Sequence, residues 1–189
     1  MSLKHAILVL LETEPSSGYE LVKHFKQSLG YFWNAKHQQV YQQLKKLTES
    51  EQVTFQEHSQ DDKPDKKIYQ ITALGREELK NWINQPVKPN KINDALLVKL
   101  YGGHLTSKDE LMAELNSHID THEKILANLT EIENAYLTLK GKKKDHYLLP
   151  YMTLRRGIIG EKAWLEWADE VKNTLHTQVT KHEDIKKAD

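Results

Sequence analysis

Apolar residues recur along this chain at helical spacing, in runs separated by short polar breaks. Residues 3–12 carry Leu3, Ile7, Leu10 and Leu11 and predict a short helix, ended by Pro15 and Gly18. Ser17 stands three residues before Glu20, the spacing of a capping box. A second helix therefore starts there, turns Leu21, Val22, Phe25 and Leu29 inward, and stops at Gly30. Asn34 can cap a third helix, whose apolar stripe is Val40, Leu44 and Leu47. Two β segments follow. In 53–57, Val53 and Phe55 alternate with Thr54 and Gln56. In 67–72, Ile68 and Ile71 alternate with Lys67 and Gln70, and Tyr69 interrupts the order. The polar stretch 57–66 between them is too long for a two-residue turn and predicts a charged loop. Thr72 then caps a helix to about residue 82, with Leu74, Leu79, Trp82 and Ile83 apolar.

Three helices, a strand, a charged loop, a strand and a helix make the winged helix-turn-helix order. The third helix takes the place of the recognition helix and the loop that of the wing. Pro86 and Pro89 mark a linker, so the expected division is a winged-helix domain over 1–85, a linker over 86–92 and a helical domain over 93–189. In the last part, 93–101 is a short helix broken by Gly102 and Gly103. Ser107 and Glu110 form a second capping box before a long helix to about 139. Its residues Ile125, Leu129, Ile132, Tyr136 and Leu139 alternate at spacings of four and three, as in a coiled coil. Gly141 opens a basic turn at 142–144, and a final helix over about 148–179 shows Trp164, Trp167, Val171, Leu175 and Val179. The fold class is thus mainly α: a winged helix followed by an antiparallel hairpin of long helices. Such a hairpin cannot cover both its faces, so a partner subunit is expected against Leu129, Ile132, Tyr136, Trp164, Trp167 and Val171.

Composition narrows the function. The 189 residues include 27 Lys plus Arg and 27 Asp plus Glu, so no overall basic charge argues for nucleic acid. Residues 1–90 hold 12 basic and 11 acidic side chains, which leaves DNA binding to local geometry. The absence of cysteine excludes disulfides, thiolate metal sites and a cysteine nucleophile. No apolar run reaches membrane-spanning length, and 6–11 is too short for a secretory signal, so a cytoplasmic protein without a membrane partner is expected.

Opposite the stripe, the third helix presents Lys36, Gln38, Gln39, Gln42, Gln43, Lys45 and Lys46, with Tyr41 at the rim. Glutamine can pair bidentately with adenine, and lysine reaches guanine edges or phosphates. Lys63, Lys66 and Lys67 of the wing would grip phosphates, although Asp61, Asp62 and Asp65 are interleaved with them. Each feature alone also describes an ordinary solvated surface; at winged-helix spacing they reinforce one another. Tyr19, Tyr31, Phe32, Trp33 and His37 could line a pocket for a small aromatic effector, or simply pack as core. His118 and His122, four apart with Glu123 adjacent, share a helix face, but the zincin HExxH pattern and a third ligand are missing, so no metal site is assigned. No nucleophile elbow, phosphate-cradling glycine loop or carboxylate pair stands out, so neither catalysis nor a cofactor is expected. The sequon at 128–130 is a chance match without a signal peptide.

Gly18-Tyr19-Glu20-Leu21, then Gly30-Tyr31-Phe32-Trp33, Ala35, His37-Gln38-Gln39-Val40-Tyr41 and Leu44 resemble the PadR family of transcriptional regulators. Lys67, Tyr69, Ile71-Thr72 and Gly75 continue the likeness through the wing. The stretch from Gly30 to Tyr41, together with Lys63-Pro64-Asp65, Thr153-Leu154-Arg155-Arg156, Ala163-Trp164 and Trp167-Ala168-Asp169-Glu170-Val171, is most similar to a virulence-regulating branch of that family. The resemblance implies a homodimer that binds inverted-repeat promoter sites. By position, Gln38, Gln39, Tyr41, Gln42 and Lys46 would then face DNA from the recognition helix, with Lys63, Lys66 and Lys67 in the wing. It also implies, for some members, a phenolic or planar ligand. Two other readings remain open at this point: a small-molecule sensor with an inter-domain pocket, and a helical interaction scaffold.

Overall fold

The structure is a computed structural model that describes residues 3–25, 35–60, 63–89 and 93–186. It divides into two compact units, Met1–Asn90 and Lys91–Asp189. Described elements of the first unit are α1 (Leu3–Thr13), β1 (Ser16–Ser17), α2 (Gly18–His24), α3 (His37–Glu49), β2 (Val53–Gln60), β3 (Lys63–Ile71) and α4 (Ala73–Ile83). Those of the second are α5 (Ala95–Tyr101), a 3-10 turn (Gly103–Leu105), α6 (Lys108–Leu137), α7 (Gly141–His146) and α8 (Leu148–Lys186).

The first unit closes on one core of Ile7, Leu8, Leu11, Leu21, Val22, Phe25, Val40, Leu44, Leu47, Val53, Ile71 and Leu79. The α3 stripe is as expected: Val40 and Leu44 are fully buried and Leu47 nearly so. Removing such side chains from water supplies about 1.5–3 kcal/mol each, which holds α3 by one face and leaves the other to solvent. The helix starts later than the sequence suggests. Lys36, not Asn34, is the N-cap residue, and the Gln39 amide oxygen accepts a hydrogen bond from the Lys36 backbone N–H at 3.0 Å. Asn34 itself lies outside the described residues.

The sheet has the order β1-β3-β2, antiparallel throughout. It corrects three expectations. First, Ser16 and Ser17 form a short strand paired with Tyr69 and Ile68, which two serines give no reason to predict. Second, the wing is mostly strand: β2 and β3 stay in register from Val53↔Ile71 to Gln60↔Lys63, with an irregularity between His58 and Gln60. Third, Tyr69 rather than Ile68 joins Ile71 against the core, so Tyr69 keeps the two-residue alternation instead of breaking it.

At the α3–β2 corner Glu51 adopts a left-handed φ of 56°. The Thr72 backbone N–H donates to the Gln52 carbonyl at 3.1 Å, and the Thr72 hydroxyl donates to the Glu51 carbonyl at 2.7 Å. Thr72 also accepts from the Gly75 N–H at 3.1 Å, the predicted cap of α4. One threonine thus ties the start of α4 to the exit of α3.

In the second unit α6 and α8 run antiparallel. Tyr136 stacks on Tyr151 at 4.0 Å, Arg155 donates to Glu133 at 2.9 Å, and His122 meets Glu161 at 2.5 Å. The capping box at Ser107 and Glu110 forms as predicted. The basic turn is instead the short helix α7, entered through Gly141 at a φ of 55°.

Candidate nucleic-acid interface

The apolar anchoring of α3 decides what its other face shows. Lys36, His37, Gln38, Gln39, Tyr41, Gln42, Lys45 and Lys46 are all exposed, and Gln43 is half-buried. Lys45 leans toward Glu49 at 3.9 Å, a weak surface pair one turn on. Tyr41 is held more firmly. Its ring lies over Gly18, where an added Cβ would come within 2.7 Å of it, and it sits 4.6 Å from the His37 ring. Only glycine at the start of α2 lets the tyrosine lie there. The Tyr69 hydroxyl titrates above its usual range, mainly because it is partly buried in the wing and less because Tyr41 is near. Tyr41 thus closes α3 over the start of α2.

The wing lysines are not equivalent. Lys66 donates from Nζ to Glu20 Oε1 at 2.8 Å. Glu20 Oε2 accepts from both the backbone N–H and the hydroxyl of Ser17, each at 2.8 Å. The Ser17 hydroxyl oxygen in turn accepts from the Glu20 N–H at 3.2 Å, completing the capping box. The Lys66 hydrogen bond, followed by those from Ser17, holds the Glu20 carboxyl down to about 2, so it stays charged at any working pH. Lys67 reaches Glu57 at 3.2 Å and lies 4.3 Å above the Phe55 ring. Lys63 stands opposite Gln60 at the end of the ladder.

Tyr19 is 69% exposed on α2, while Tyr31, Phe32 and Trp33 lie outside the described residues. Leu129 and Tyr136 are buried within the single chain; Leu129 packs against Gly157 of α8, where an added Cβ would meet it at 3.3 Å. Ile132 is half-buried, and Trp164, Trp167 and Val171 pack around Leu96, Leu115 and Ala168. His122 is stacked on Trp164 at 3.6 Å, and His118 tilts toward the same ring. Sequence reading missed a cavity of about 580 Å³ in the second unit, lined by Leu100, His104, Lys108, Leu111, Trp167 and Val171 among others. Its lining comes from α5, the 3-10 turn, α6 and α8, a convergence that no spacing along the chain announces.

A helical unit that buries one face of its third helix, exposes amides and ammonium groups on the other and flanks it with a β-hairpin is a winged helix-turn-helix protein. Similarity to known proteins carries this from class to family. Residues 7–81 match the transcriptional regulator PadR-like family, and residues 92–176 match the virulence activator alpha C-terminal family. The chain is 35% identical over 185 residues to the probable transcriptional regulator Rv1176c of Mycobacterium tuberculosis, covering 93% of this chain and 98% of that one. Bacillus subtilis PadR in complex with operator DNA superposes with a TM-score of 0.75 at 31% identity, covering 92% of this chain and 98% of that one. The same protein in complex with p-coumaric acid gives 0.72 at 29% identity, with the same coverage. The Vibrio cholerae virulence activator AphA gives 0.74 at 34% identity, covering 94% and 99%. The chain belongs to the PadR-like family of transcriptional regulators, a family of regulators and not of enzymes. No helix among the described residues is long and apolar enough to cross a membrane.

Proposed function

We propose that the protein binds promoter DNA as a homodimer at inverted-repeat sites, in the cytoplasm, with α3 in the major groove and the β2–β3 wing alongside. The observation that carries this is the division of α3: three apolar residues hold it in the core, while Gln38, Gln39, Tyr41, Gln42 and Lys46 stand exposed together. The glutamines read base edges; Lys36, Lys46 and the wing supply phosphate contacts. Gln39 has a second duty in capping α3, so Gln38 and Gln42 are the stronger readers. Residues 1–85 act as the DNA-binding domain, 86–92 as the linker and 93–189 as the dimerisation domain. The dimer is supported by apolar surface that one chain leaves open: Val98, Tyr101, Leu105 and Leu149 are 73%, 94%, 82% and 76% exposed.

The test is selection from a random-sequence library by the purified protein, followed by gel shifts across a salt series. An inverted-repeat consensus with half-site centres about one helical turn apart, roughly 34 Å, is expected. A library that emerges unenriched would refute the reading.

The cavity favours an effector as a second element of the same function. Its volume of about 580 Å³ lies in the range of small-molecule sites, and Trp167, Leu100 and Leu111 give it apolar walls, with Lys108, His104 and Glu170 among its polar lining. A small aromatic compound with a polar end fits that chemistry, and p-coumaric acid is a convenient probe of it. Titration with p-coumaric acid should quench tryptophan fluorescence saturably in the wild type and much less in Trp167→Phe. Equal quenching in both would place the ligand elsewhere.

A further inference from the structure

We infer that Glu20 is a positioning residue that locks the wing to the recognition unit, and that Lys66 serves this lock instead of contacting a phosphate. The inference rests on the DNA-binding reading above and assigns roles within its site.

The lock is built on one short stretch of chain. Ser17 caps α2 with its side chain while its backbone lies in β1, paired with β3 at Ile68. Backbone pairing between β1 and β3 ends there. Lys66 is two residues further toward the tip of the wing, and its ammonium reaches back to Glu20 at 2.8 Å. The ion pair therefore extends the attachment beyond the last backbone pair. It does so where the wing leaves the core: Lys66 is opposite His58, next to the ladder irregularity between His58 and Gln60.

An ordinary surface ion pair is worth little, because two mobile side chains must be ordered to form it. Here one partner is ordered already. The two hydrogen bonds from Ser17 fix the Glu20 carboxylate before Lys66 arrives, so only the lysine gives up freedom. Lys67 lacks this restraint: its partner Glu57 is 57% exposed, on the hairpin itself, and a phosphate can compete for the ammonium.

The two roles predict opposite results at Glu20. If Lys66 gripped a phosphate, removing the neighbouring carboxylate would free it and tighten DNA binding. If Glu20 and Lys66 position the wing, the same change loosens it. Glu20→Gln suits the test, since glutamine at this helix position still completes a capping box while losing the charge. Lys66→Met keeps the stem and removes the ammonium.

Affinities for the operator selected by the wild type, and for unrelated DNA, should be measured across a salt series well below each variant's melting temperature. Each variant is expected to bind the operator roughly 3–10-fold more weakly, with an unchanged salt slope and no loss on unrelated DNA. The double variant should be no weaker than either single one, because the two share one interaction. Lys66→Arg should restore most of the affinity. Tighter or unchanged operator binding by Glu20→Gln overturns the lock, as does a slope reduced by about one per subunit in Lys66→Met. A wild type that selects no operator removes the DNA-binding reading itself; a selected operator that both variants bind normally removes only the lock.

Discussion

Gly75→Ala is expected to destabilise the first unit by about 1–3 kcal/mol, although alanine is the better helix former. Two effects compete. Glycine inside a helix costs about 1 kcal/mol relative to alanine, so propensity alone predicts a gain. Against this, a Cβ at position 75 would collide with the backbone carbonyl of Gln52 and come within 2.7 Å of Ile71 Cγ1. A flexible side chain could move aside; a carbonyl that already accepts the Thr72 N–H cannot move without breaking that bond. The clash wins, and it falls at the corner that joins α3, β2 and α4. Each kcal/mol lowers the melting temperature of a unit this size by about 4–8 °C. Circular-dichroism melting should therefore show a clear drop. A melting temperature at or above that of the wild type would mean that the corner relaxes freely and that the glycine is not required by contact.

Gln38→Ala and Lys67→Ala are expected to weaken DNA binding in different ways. Gln38 stands exposed in the first turn of α3, clear of the capping bond that occupies Gln39. A glutamine paired bidentately with a base contributes about 1–3 kcal/mol of discrimination, so its loss should cost roughly 5- to 150-fold on the selected operator. It should also relax the preference at one position per half-site and leave the salt slope alone, since no phosphate contact is removed. Lys67 should do the reverse. It is 46% exposed, steered by the Phe55 ring and paired with the exposed Glu57. Its removal should weaken all sequences about equally and reduce the salt slope by about one per subunit. If Gln38→Ala selects the same consensus as the wild type, that side chain is not a base reader. If Lys67→Ala keeps the full slope, it is not a phosphate contact.

Several parts of this site are legible in the chain. Capping boxes at Ser17 and Ser107 are visible because their hydrogen bonds join residues three apart. The stripe of Val40, Leu44 and Leu47 is visible because one helix face meets one core, and the opposite face follows from it. The wing is only half visible. Its core end alternates, whereas from Glu57 outward it buries little and gives the sequence no apolar rhythm, so a paired strand resembles a charged loop. The two-residue β1 is too short for any rhythm. In the long hairpin the four-and-three spacing points to a seam, but not to which seam: Leu129 and Tyr136 are consumed inside one chain, while Leu105 and Tyr101, outside the repeat, stay open.

By itself, then, the sequence determined the helix starts at Ser17, Thr72 and Ser107, the core face of the third helix, the order that defines a winged helix, and the family. These rest on periodicity and on hydrogen bonds within a turn or two, which neighbouring residues encode. Tertiary structure alone decided which wing lysine is committed to Glu20 and which is shared with Glu57, why Gly18 must leave room for Tyr41, and why Gly75 cannot bear a methyl group. Lys66 and Glu20 are 46 residues apart. A charge pair or a steric limit at that separation depends on the path of the whole chain between the two residues, which no local pattern records.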